Sequence, residues 1–428
     1  MQPPSSLGSF SLFLQTLWSK TVKLDVMIAI PTAYAYHFDT AQLMDIFNQG
    51  SHLSLVHDRT GWPDAADGDV EHCIGGSDWS NYKKAPPHKF YPYSAHTLFR
   101  LPVDSEMLYL ITRGGTNIGT VTLVSSDTVR STVNVRVHVG YHKRRALNRA
   151  NVCLLSKEHD TQGIGIYTPA RWFPSKEEGR MHFDVTVVFP ATHDGSPLWI
   201  ENFQSTLSHY SFKIKDIEDS VYFHSINVQA NDAGINSDSI FAFHATFRST
   251  QAFIRGAFKA THLVLTTTKG PIEAQVDHPS KGPYLTGVSL ETNEDSMQST
   301  LYDNANGGGP FSVEARTFDG PITISYTNTP TNSIQQLVAV TRGSPVKVTM
   351  SSAYEGAFSL QNTRNNPIRV IESDAEDPSG RGRERVLRKY SRDRNHMKGT
   401  VYWSPRGPGW RESKILIETD RAPIRLTI

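Results

Sequence analysis

Two copies of one sequence pattern decide the fold of this chain: His262-Leu-Val-Leu-Thr-Thr-Thr-Lys-Gly-Pro-Ile272 and Phe311-Ser-Val-Glu-Ala-Arg-Thr-Phe-Asp-Gly-Pro-Ile322. Each copy runs from an alternating apolar strand through a Thr and a short turn to Pro and an aliphatic residue. Internal similarity at a period of about 20–50 residues indicates a repeat architecture, in which each unit buries its apolar face on its neighbours. The pattern therefore predicts a β-solenoid.

The Thr-to-Pro spacing occurs five times in the C-terminal half of the chain. A Thr precedes each Pro by four residues, in the pairs Thr267 and Pro271, Thr317 and Pro321, Thr341 and Pro345, Thr363 and Pro367, and Thr419 and Pro423. Weaker copies place Gly234, Phe253 and Ser296 in the Pro position. Successive positions lie about 20–25 residues apart, except for one longer step that contains residues 372–398.

These residue types suit short strands joined by tight turns. Pro has a fixed φ and no N–H, so it belongs in a turn or at the start of a strand. Gly270 and Gly320 tolerate backbone angles that other residues avoid, and the Thr hydroxyl can close the turn or bond the neighbouring unit. With strands about 4.8 Å apart, we expect the residues after the Pro position to form one inward column. Its members are Ile272, Ile322, Val346, Ile368 and Ile424.

Composition excludes several classes of protein. The 428 residues include 43 basic and 42 acidic side chains, so no chain-wide attraction to nucleic acid or an anionic membrane is expected. The two cysteines, Cys73 and Cys153, are too few for a disulfide framework or a cysteine-based zinc site. The start of the chain shows no signal-peptide pattern, and the apolar stretch 10–18 is too short to span a bilayer. The expectation is a cytoplasmic protein without a membrane span.

We predict three parts in an all-β chain. Residues 1–95 are expected to be a weakly ordered arm and linker with one or two short helices, one of them at 40–49. Residues 96–215 are expected to form an antiparallel or mixed β portion, because valines alternate with polar residues at Val133, Val135, Val137 and Val139. Residues 216–428 form the β-repeat portion, interrupted by the charged insertion 372–398.

Four further segments, taken in order with the Thr-to-Pro copies, carry a resemblance to a known family: 163–169, 197–203, 377–383 and 399–403. Together they resemble an uncharacterised family of mushroom-forming fungi, a domain of unknown function. That family looks related to the adhesin-like β-repeat domains of bacteria. The resemblance covers roughly residues 95–428 and implies a stacked β-repeat fold. The family carries no known catalytic residues, so the resemblance implies no chemistry for this chain.

Two sequence features that could indicate a functional site have simpler structural explanations. The segment 113–120 has the glycine spacing of a phosphate-binding loop but lacks its Lys, which favours a hairpin turn. Several histidines lie near the N-terminus without metal-ligand spacing, and we predict solvated side chains there. These are His37, His52, His57, His72, His88 and His96. We predict no catalytic, cofactor-binding or metal-binding residues and no cofactor.

The charged insertion 372–398 begins with acidic residues and ends with basic ones. We predict a solvated loop whose two halves neutralise each other. The alternative is a basic hook for an acidic partner or nucleic acid.

The repeat predicts a non-enzymatic binding or scaffold protein with adhesin-like β-repeats, because stacked units make extended surfaces. A protein or a glycan is the expected class of partner, and nucleic acid is not. One alternative is a carbohydrate-active enzyme on a β-helix scaffold, although the chain has no Asp-Asp pair and no Gly-x-Ser-x-Gly motif. A second alternative is a structural protein that self-associates through an open end of the solenoid.

Overall fold

The computed structural model describes residues 61–79, 88–115, 117–129, 131–169, 179–192, 194–277, 286–302, 310–407 and 410–428. The chain divides into two units, Met1–His57 and Asp58–Ile428. The first unit lies outside the described residues, and so do the predicted helix at 40–49 and the apolar stretch 10–18. The second unit contains strands, a 3-10 helix at Ala65–Asp67 and a one-turn helix, α1, at Arg144–Leu147.

The strands that precede the sequence repeat are β1 (Asp69–Gly75), β2 (Tyr93–Pro102), β3 (Met107–Arg113), β4 (Asn117–Ser126), β5 (Thr132–Tyr141), β6 (Asn151–Lys157), β7 (Thr161–Tyr167), β8 (Met181–Pro190), β9 (Leu198–Thr206) and β10 (Tyr210–Asp216). The strands of the repeat portion are β11 (Val221–Ala230), β12 (Ile235–Ser239), β13 (Phe241–Ser249), β14 (Ile254–Thr267), β15 (Ile272–Asp277), β16 (Thr286–Thr292), β17 (Met297–Tyr302), β18 (Pro310–Thr317), β19 (Ile322–Thr327), β20 (Ile334–Thr341), β21 (Val346–Thr349), β22 (Gly356–Asn362), β23 (Ile368–Ile371), β24 (Glu384–Asp393), β25 (His396–Ser404), β26 (Lys414–Thr419) and β27 (Ile424–Thr427).

Two parallel ladders of strands form the body. In spatial order the first contains β7, β3, β9, β11, β13, the second half of β14, β16, β18, β20, β26 and β22. The second contains β8, β4, β10, β12, the first half of β14, β15, β17, β19, β21, β27 and β23. Each first-ladder strand and the strand that follows it in the chain make one rung. The described residues thus form eleven stacked rungs, and the predicted β-solenoid is confirmed.

The rungs do not stack in chain order at either end. Rung β3–β4 lies between rungs β7–β8 and β9–β10. Rung β26–β27 lies between rungs β20–β21 and β22–β23, although it comes last in the sequence. Residues 414–427 are therefore an internal layer of the stack.

The aliphatic residues that follow the Pro position occupy one column of the second ladder. Ile272 pairs through Met297 with Ile322, which pairs with Val346, and the column continues through Ile424 to Ile368. Its inner members are at most 1% exposed, whereas Ile368 in the outermost rung is half-buried. Burying such a side chain stabilises the fold by about 1.5–3 kcal/mol.

The Pro position is explained by its carbonyl. The N–H of Ile322 donates to the carbonyl of Pro345 in the next rung at 3.0 Å, and Val346 N–H donates to Pro423 at 3.2 Å. The same bond reaches Ser296, from Ile272 N–H at 3.0 Å. Each position needs only an acceptor, so Pro can sit there without leaving a donor missing from the ladder.

The Thr hydroxyls lie at the corner of each rung and bond the turn. Thr267 Oγ1 donates to the carbonyl of Gly270 in its own turn. Thr341 Oγ1 donates at 3.3 Å to the carbonyl of Gly320, which belongs to the neighbouring rung. Thr317 Oγ1 instead accepts the Gly320 N–H at 2.9 Å. The buried corner is thus filled by polar groups that satisfy each other, as buried polar groups require.

In the outermost rung, Asn362 takes the corner position that was predicted for Thr363. Asn362 pairs with Thr419, is buried, and accepts the Arg364 N–H at 2.9 Å, whereas Thr363 is exposed. The turn before Pro367 is one residue longer than in the other copies. Counting back four residues from the Pro therefore gave the wrong residue.

The N-terminal strands cap the solenoid with antiparallel sheet. Strands β2, β5 and β8 are antiparallel neighbours and extend the second ladder. Strands β1, β6 and β7 do the same for the first ladder. The predicted mixed β portion is therefore present. The predicted boundary between residues 215 and 216 falls inside the stack, where β9 and β10 pair with β11 and β12.

Residues 61–79 belong to this cap, so the expectation of a linker there is wrong. Cys73 and Cys153 lie directly opposite each other in β1 and β6 and form a disulfide. Trp79 is buried and its Nε1–H donates to the carbonyl of Ala150 at 3.1 Å. Long-range contacts hold this segment in place, so it is ordered although its sequence has no apolar periodicity. Disulfides are typical of oxidising compartments, and this bond gives no support to a cytoplasmic location.

A buried carboxylate joins this cap to the first ladder. Asp67 is fully buried, and the Arg113 guanidinium donates to it from Nε at 2.7 and 2.9 Å and from Nη2 at 2.5 Å. The hydroxyl of Tyr167 donates to Asp67 Oδ2 at 3.1 Å. Burial, followed by the charge of Asp67, raises the pKa of Tyr167, so this tyrosine remains a donor.

The segment 113–120 forms a corner of the solenoid and not a hairpin turn. Strands β3 and β4 belong to different ladders and therefore do not pair with each other. Gly114 has φ +112°, and a Cβ there would lie 2.0 Å from the carbonyl oxygen of Thr168. Glycine is needed for this close approach.

The charged insertion is folded, which corrects the prediction of a solvated loop. Its basic half enters β24, which forms an antiparallel hairpin with β25. Arg383 Nη2 contacts Asp377 at 3.0 Å and its Nη1 contacts Glu355 at 2.8 Å. The halves do pair with each other, as expected from their opposite charges. No helix in the described residues is long and apolar enough to cross a membrane.

Candidate binding face

Four adjacent strands of the first ladder, β9, β11, β13 and β14, break the alternation of inward and outward side chains at the same height. Each has two consecutive residues that point away from the core: Glu201 and Asn202, His224 and Ser225, Phe243 and His244, and Thr261 and His262. The register pairs the second member of each set across the ladder and skips the first. One extra residue per strand is the feature of a β-bulge, and a bulge re-aims side chains. Here every strand carries it, so the extra residues stack in a column.

The side chains around this stacked bulge form an aromatic face, which we define as Trp199, Tyr222, His224, Phe243, His244 and His262. The Trp199 ring lies 5.6 Å from Phe243 and 6.4 Å from His224. The rings of His244 and His262 are parallel and 4.9 Å apart. Trp199 is 49% exposed. A row of rings open to solvent is typical of a binding surface.

Trp199 is held in a fixed orientation. Its Nε1–H donates to Glu201 Oε2 at 3.0 Å, and both residues lie on the same side of β9. On the next strand Tyr222 occupies the position directly opposite Trp199 and packs on Phe241 with ring centroids 4.2 Å apart. An indole that is already positioned loses less conformational entropy when it binds a ligand.

The stacked histidines should titrate at low pH. Burial lowers the pKa of both His244 and His262 below the ordinary 6.5, and the pKa of His244 is lowered further by His262 and His224. We expect both rings to be neutral at pH 7 and to take up protons only below pH 6.5. An NMR titration of histidine-labelled protein measures this. The variant His262→Gln should move the pKa of His244 back toward 6.5, and a His244 that titrates above 6.5 in the unchanged protein would contradict the expectation.

The second ladder carries a different, polar groove of about 540 Å³. Its walls are the outward residues of β12, β14, β15 and β17, namely Asn236, Asp238, Arg255, Glu273, Gln275, Gln298 and Thr300. Gly256, with φ +136°, lies in its floor, where a Cβ would be 2.0 Å from the Ser237 carbonyl oxygen. The groove offers hydrogen-bonding groups and no exposed ring, so it suits a polar ligand.

The repeat residues identified in the sequence lie at the corners and in the core of the solenoid, and none of them belongs to the aromatic face. The residues of the aromatic face were missed because a period of two was expected throughout these strands. The signal that could have found them is the pair of adjacent outward residues in Tyr222-Phe-His-Ser225 and Phe241-Ala-Phe-His244. Neither pair can be recognised without the register that aligns them.

The N-terminal histidines do not all behave as solvated side chains. His72 is exposed as expected, but His96 is half-buried and His88 is buried against the sheet. His37, His52 and His57 lie outside the described residues.

Comparison with known proteins gives no family. No protein-family model matches the chain, and no curated protein does. Among solved structures, a "putative cell adhesion protein" from Clostridium sporogenes is 9% identical, with 78% of this chain and 99% of that chain covered and a TM-score of 0.17. A "putative adhesin" from Bacteroides fragilis is 8% identical, with 62% and 99% covered and a TM-score of 0.31. These similarities are too low to support an argument, and the resemblance to a fungal family remains a prediction.

Proposed function

We propose that this chain is a non-enzymatic, adhesin-like binding protein whose aromatic face binds a carbohydrate chain. The observation that carries this proposal is the aromatic face itself, a row of exposed and half-buried rings across four adjacent strands. Four strands at about 4.8 Å spacing give the face a length of about 14 Å. Exposed rings match the apolar C–H faces of sugar rings, and the flanking groups of Glu201 and Asn202 can bond their hydroxyls.

The carboxyl content of the face supports binding without cleavage. Hydrolysis of a glycosidic bond ordinarily needs two carboxyl groups on either side of it. Within the described strands β9, β11, β13 and β14, the only carboxyl side chain is that of Glu201, and it is hydrogen-bonded to Trp199. A bound sugar would therefore meet one carboxylate on these strands, without the second carboxyl group that hydrolysis needs.

A glycan array with the full chain tests the proposal. We expect a defined set of glycans to bind, and Trp199→Ala to weaken that binding by about 10–100-fold, as removal of a central aromatic residue does at other interfaces. Phe318→Ala is the matched control, because Phe318 is 50% exposed but lies outside the aromatic face. Equal loss in both variants, or no glycan bound at all, would count against the proposal.

A screen for polysaccharide turnover tests the enzyme alternative on the same protein. We expect no turnover. Turnover that one carboxylate substitution abolishes would reject the non-enzymatic proposal.

A further inference from the structure

A second cluster of polar side chains lies at the capped end of the second ladder. His88 Nε2 is 3.2 Å from Asp184 Oδ2, and His182 Nε2 is 3.1 Å from Asp184 Oδ1. One donor atom from each of these three residues lies within 4.8 Å of the other two. Neither the repeat nor the aromatic face uses these residues.

The fold positions all three side chains on one face of the sheet. His182 and Asp184 are two residues apart on β8 and therefore point the same way. Gly140 of β5 lies directly opposite His182, and a Cβ at Gly140 would be 2.4 Å from Cγ of His88. The absence of a side chain at Gly140 thus makes the space that the His88 ring fills.

The His88 ring is buried, and its outer nitrogen faces a carboxylate without a well-aligned hydrogen bond. Its side chain is 2% exposed, and Nε2 lies 3.2 Å from Asp184 Oδ2 without the alignment of a good hydrogen bond. Buried polar atoms in folded proteins nearly always have well-aligned hydrogen bonds, so this poorly aligned contact calls for an explanation. An ion between the three donor atoms would satisfy this nitrogen.

We propose that His88, His182 and Asp184 bind a divalent transition-metal cation, with Zn²⁺ as the best match. Two imidazole nitrogens and one carboxylate oxygen are ligands that Zn²⁺ takes at about 2.0–2.2 Å. Donor atoms of such a site lie about 3.3 Å apart. His88 Nε2 lies 3.2 Å from Asp184 Oδ2 and His182 Nε2 lies 3.1 Å from Asp184 Oδ1, so each imidazole faces a different oxygen of the same carboxylate. His138 lies opposite Asp184 on β5, with its ring 5.4 Å from that of His88, and can supply a fourth ligand.

Metal binding requires one local rearrangement. His88 Nδ1 accepts the Phe90 N–H at 3.2 Å, so the proton of the neutral ring is on Nε2. When the metal takes Nε2, the ring proton moves to Nδ1, which then cannot accept from Phe90. We therefore expect the Phe90 amide to change its environment on binding, and this change can be followed by NMR with ¹⁵N-phenylalanine labelling.

Calorimetric titration of the chelator-treated full chain with ZnCl₂ tests the proposal. We expect one Zn²⁺ per chain, a higher melting temperature with Zn²⁺, and a shift of the Phe90 amide signal. Asp184→Asn and His182→Gln should each weaken binding by at least about 100-fold, more than the loss of a residue that only orients a ligand. Both side chains are partly exposed, so both variants should fold, which circular dichroism checks.

Two matched variants separate this site from other histidines. Asp232→Asn removes the carboxylate of an exposed pair, in which His209 Nδ1 lies 2.8 Å from Asp232. The double variant His244→Gln with His262→Gln removes the stacked rings of the aromatic face. Both should bind Zn²⁺ as the unchanged protein does. Unchanged binding in Asp184→Asn, or binding lost only in the double variant, would overturn the proposal, and neither result bears on glycan binding.

Discussion

Deletion of residues 410–428 is expected to unfold residues 356–407 together with the deleted rung. Strands β26 and β27 lie between rung β20–β21 and rung β22–β23, so their removal leaves the outer rung without its parallel partners. The deletion removes five inward aliphatic side chains that are at most 2% exposed, Ile415, Ile417, Ile424, Leu426 and Ile428. At about 1.5–3 kcal/mol each, their loss amounts to about 8–15 kcal/mol of burial. Limited proteolysis with mass spectrometry should show cleavage throughout 356–407.

A longer deletion is the control and should do less harm. Removal of residues 351–428 takes away the two outer rungs and the hairpin β24–β25 together, and leaves β20–β21 as the last rung. Because each rung contacts only its neighbours, the remaining stack should stay folded and resist the protease. If residues 356–407 stayed protected after the shorter deletion, β22 would have to pair directly with β20, and the assigned order of the rungs would be wrong.

Replacement of Arg113 by Met is expected to destabilise the protein by about 3–5 kcal/mol. The guanidinium of Arg113 makes three hydrogen bonds to Asp67, whose side chain is 1% exposed. Removal of the cation leaves a buried carboxylate without its charge partner. Because half of the Arg113 side chain reaches solvent, the loss should lie near the lower end of this range. Urea unfolding followed by circular dichroism measures it.

Two further variants show whether the effect comes from the buried charge. Arg316→Met breaks an ion pair with Glu314 in which both side chains are exposed, and it should cost less than about 1 kcal/mol. Asp67→Asn combined with Arg113→Met should recover part of the lost stability, because no unpaired charge remains. Equal losses of unfolding free energy for Arg113→Met and Arg316→Met would show that the buried charge of Asp67 does not need Arg113 for stability.

The repeat could be predicted from the sequence because its chemistry is local. Three features recur along the repeat. They are a Pro of which only the carbonyl is needed, a Thr four residues before it, and an aliphatic residue just after it. Those constraints act within one turn, so they can be read without knowing which strand lies beside which. The column from Ile272 to Ile424 follows from them. Asn362, which occupies the corner predicted for Thr363, shows the limit of this local prediction. One added residue in a turn shifts the spacing between the corner and the Pro without leaving a local sign in the sequence.

The two candidate sites could not be predicted in the same way. The aromatic face exists because the register places Trp199, His224 and Phe243 beside each other, although they lie far apart in the sequence. His88 was expected to be solvated, and only the opening above Gly140 lets the sheet bury it beside Asp184.

The sequence by itself determined that this chain is a stack of short β-strands and that the aliphatic residues after the Pro position face its core. The tertiary structure alone decided the order of the rungs, the cap formed by residues 61–79, and the side chains that meet on the surface. The physical reason is that alternation and turn chemistry act between residues close in the chain. Strand order, the Cys73–Cys153 bond and the packing of rings depend on pairing between distant segments, which leaves no local pattern.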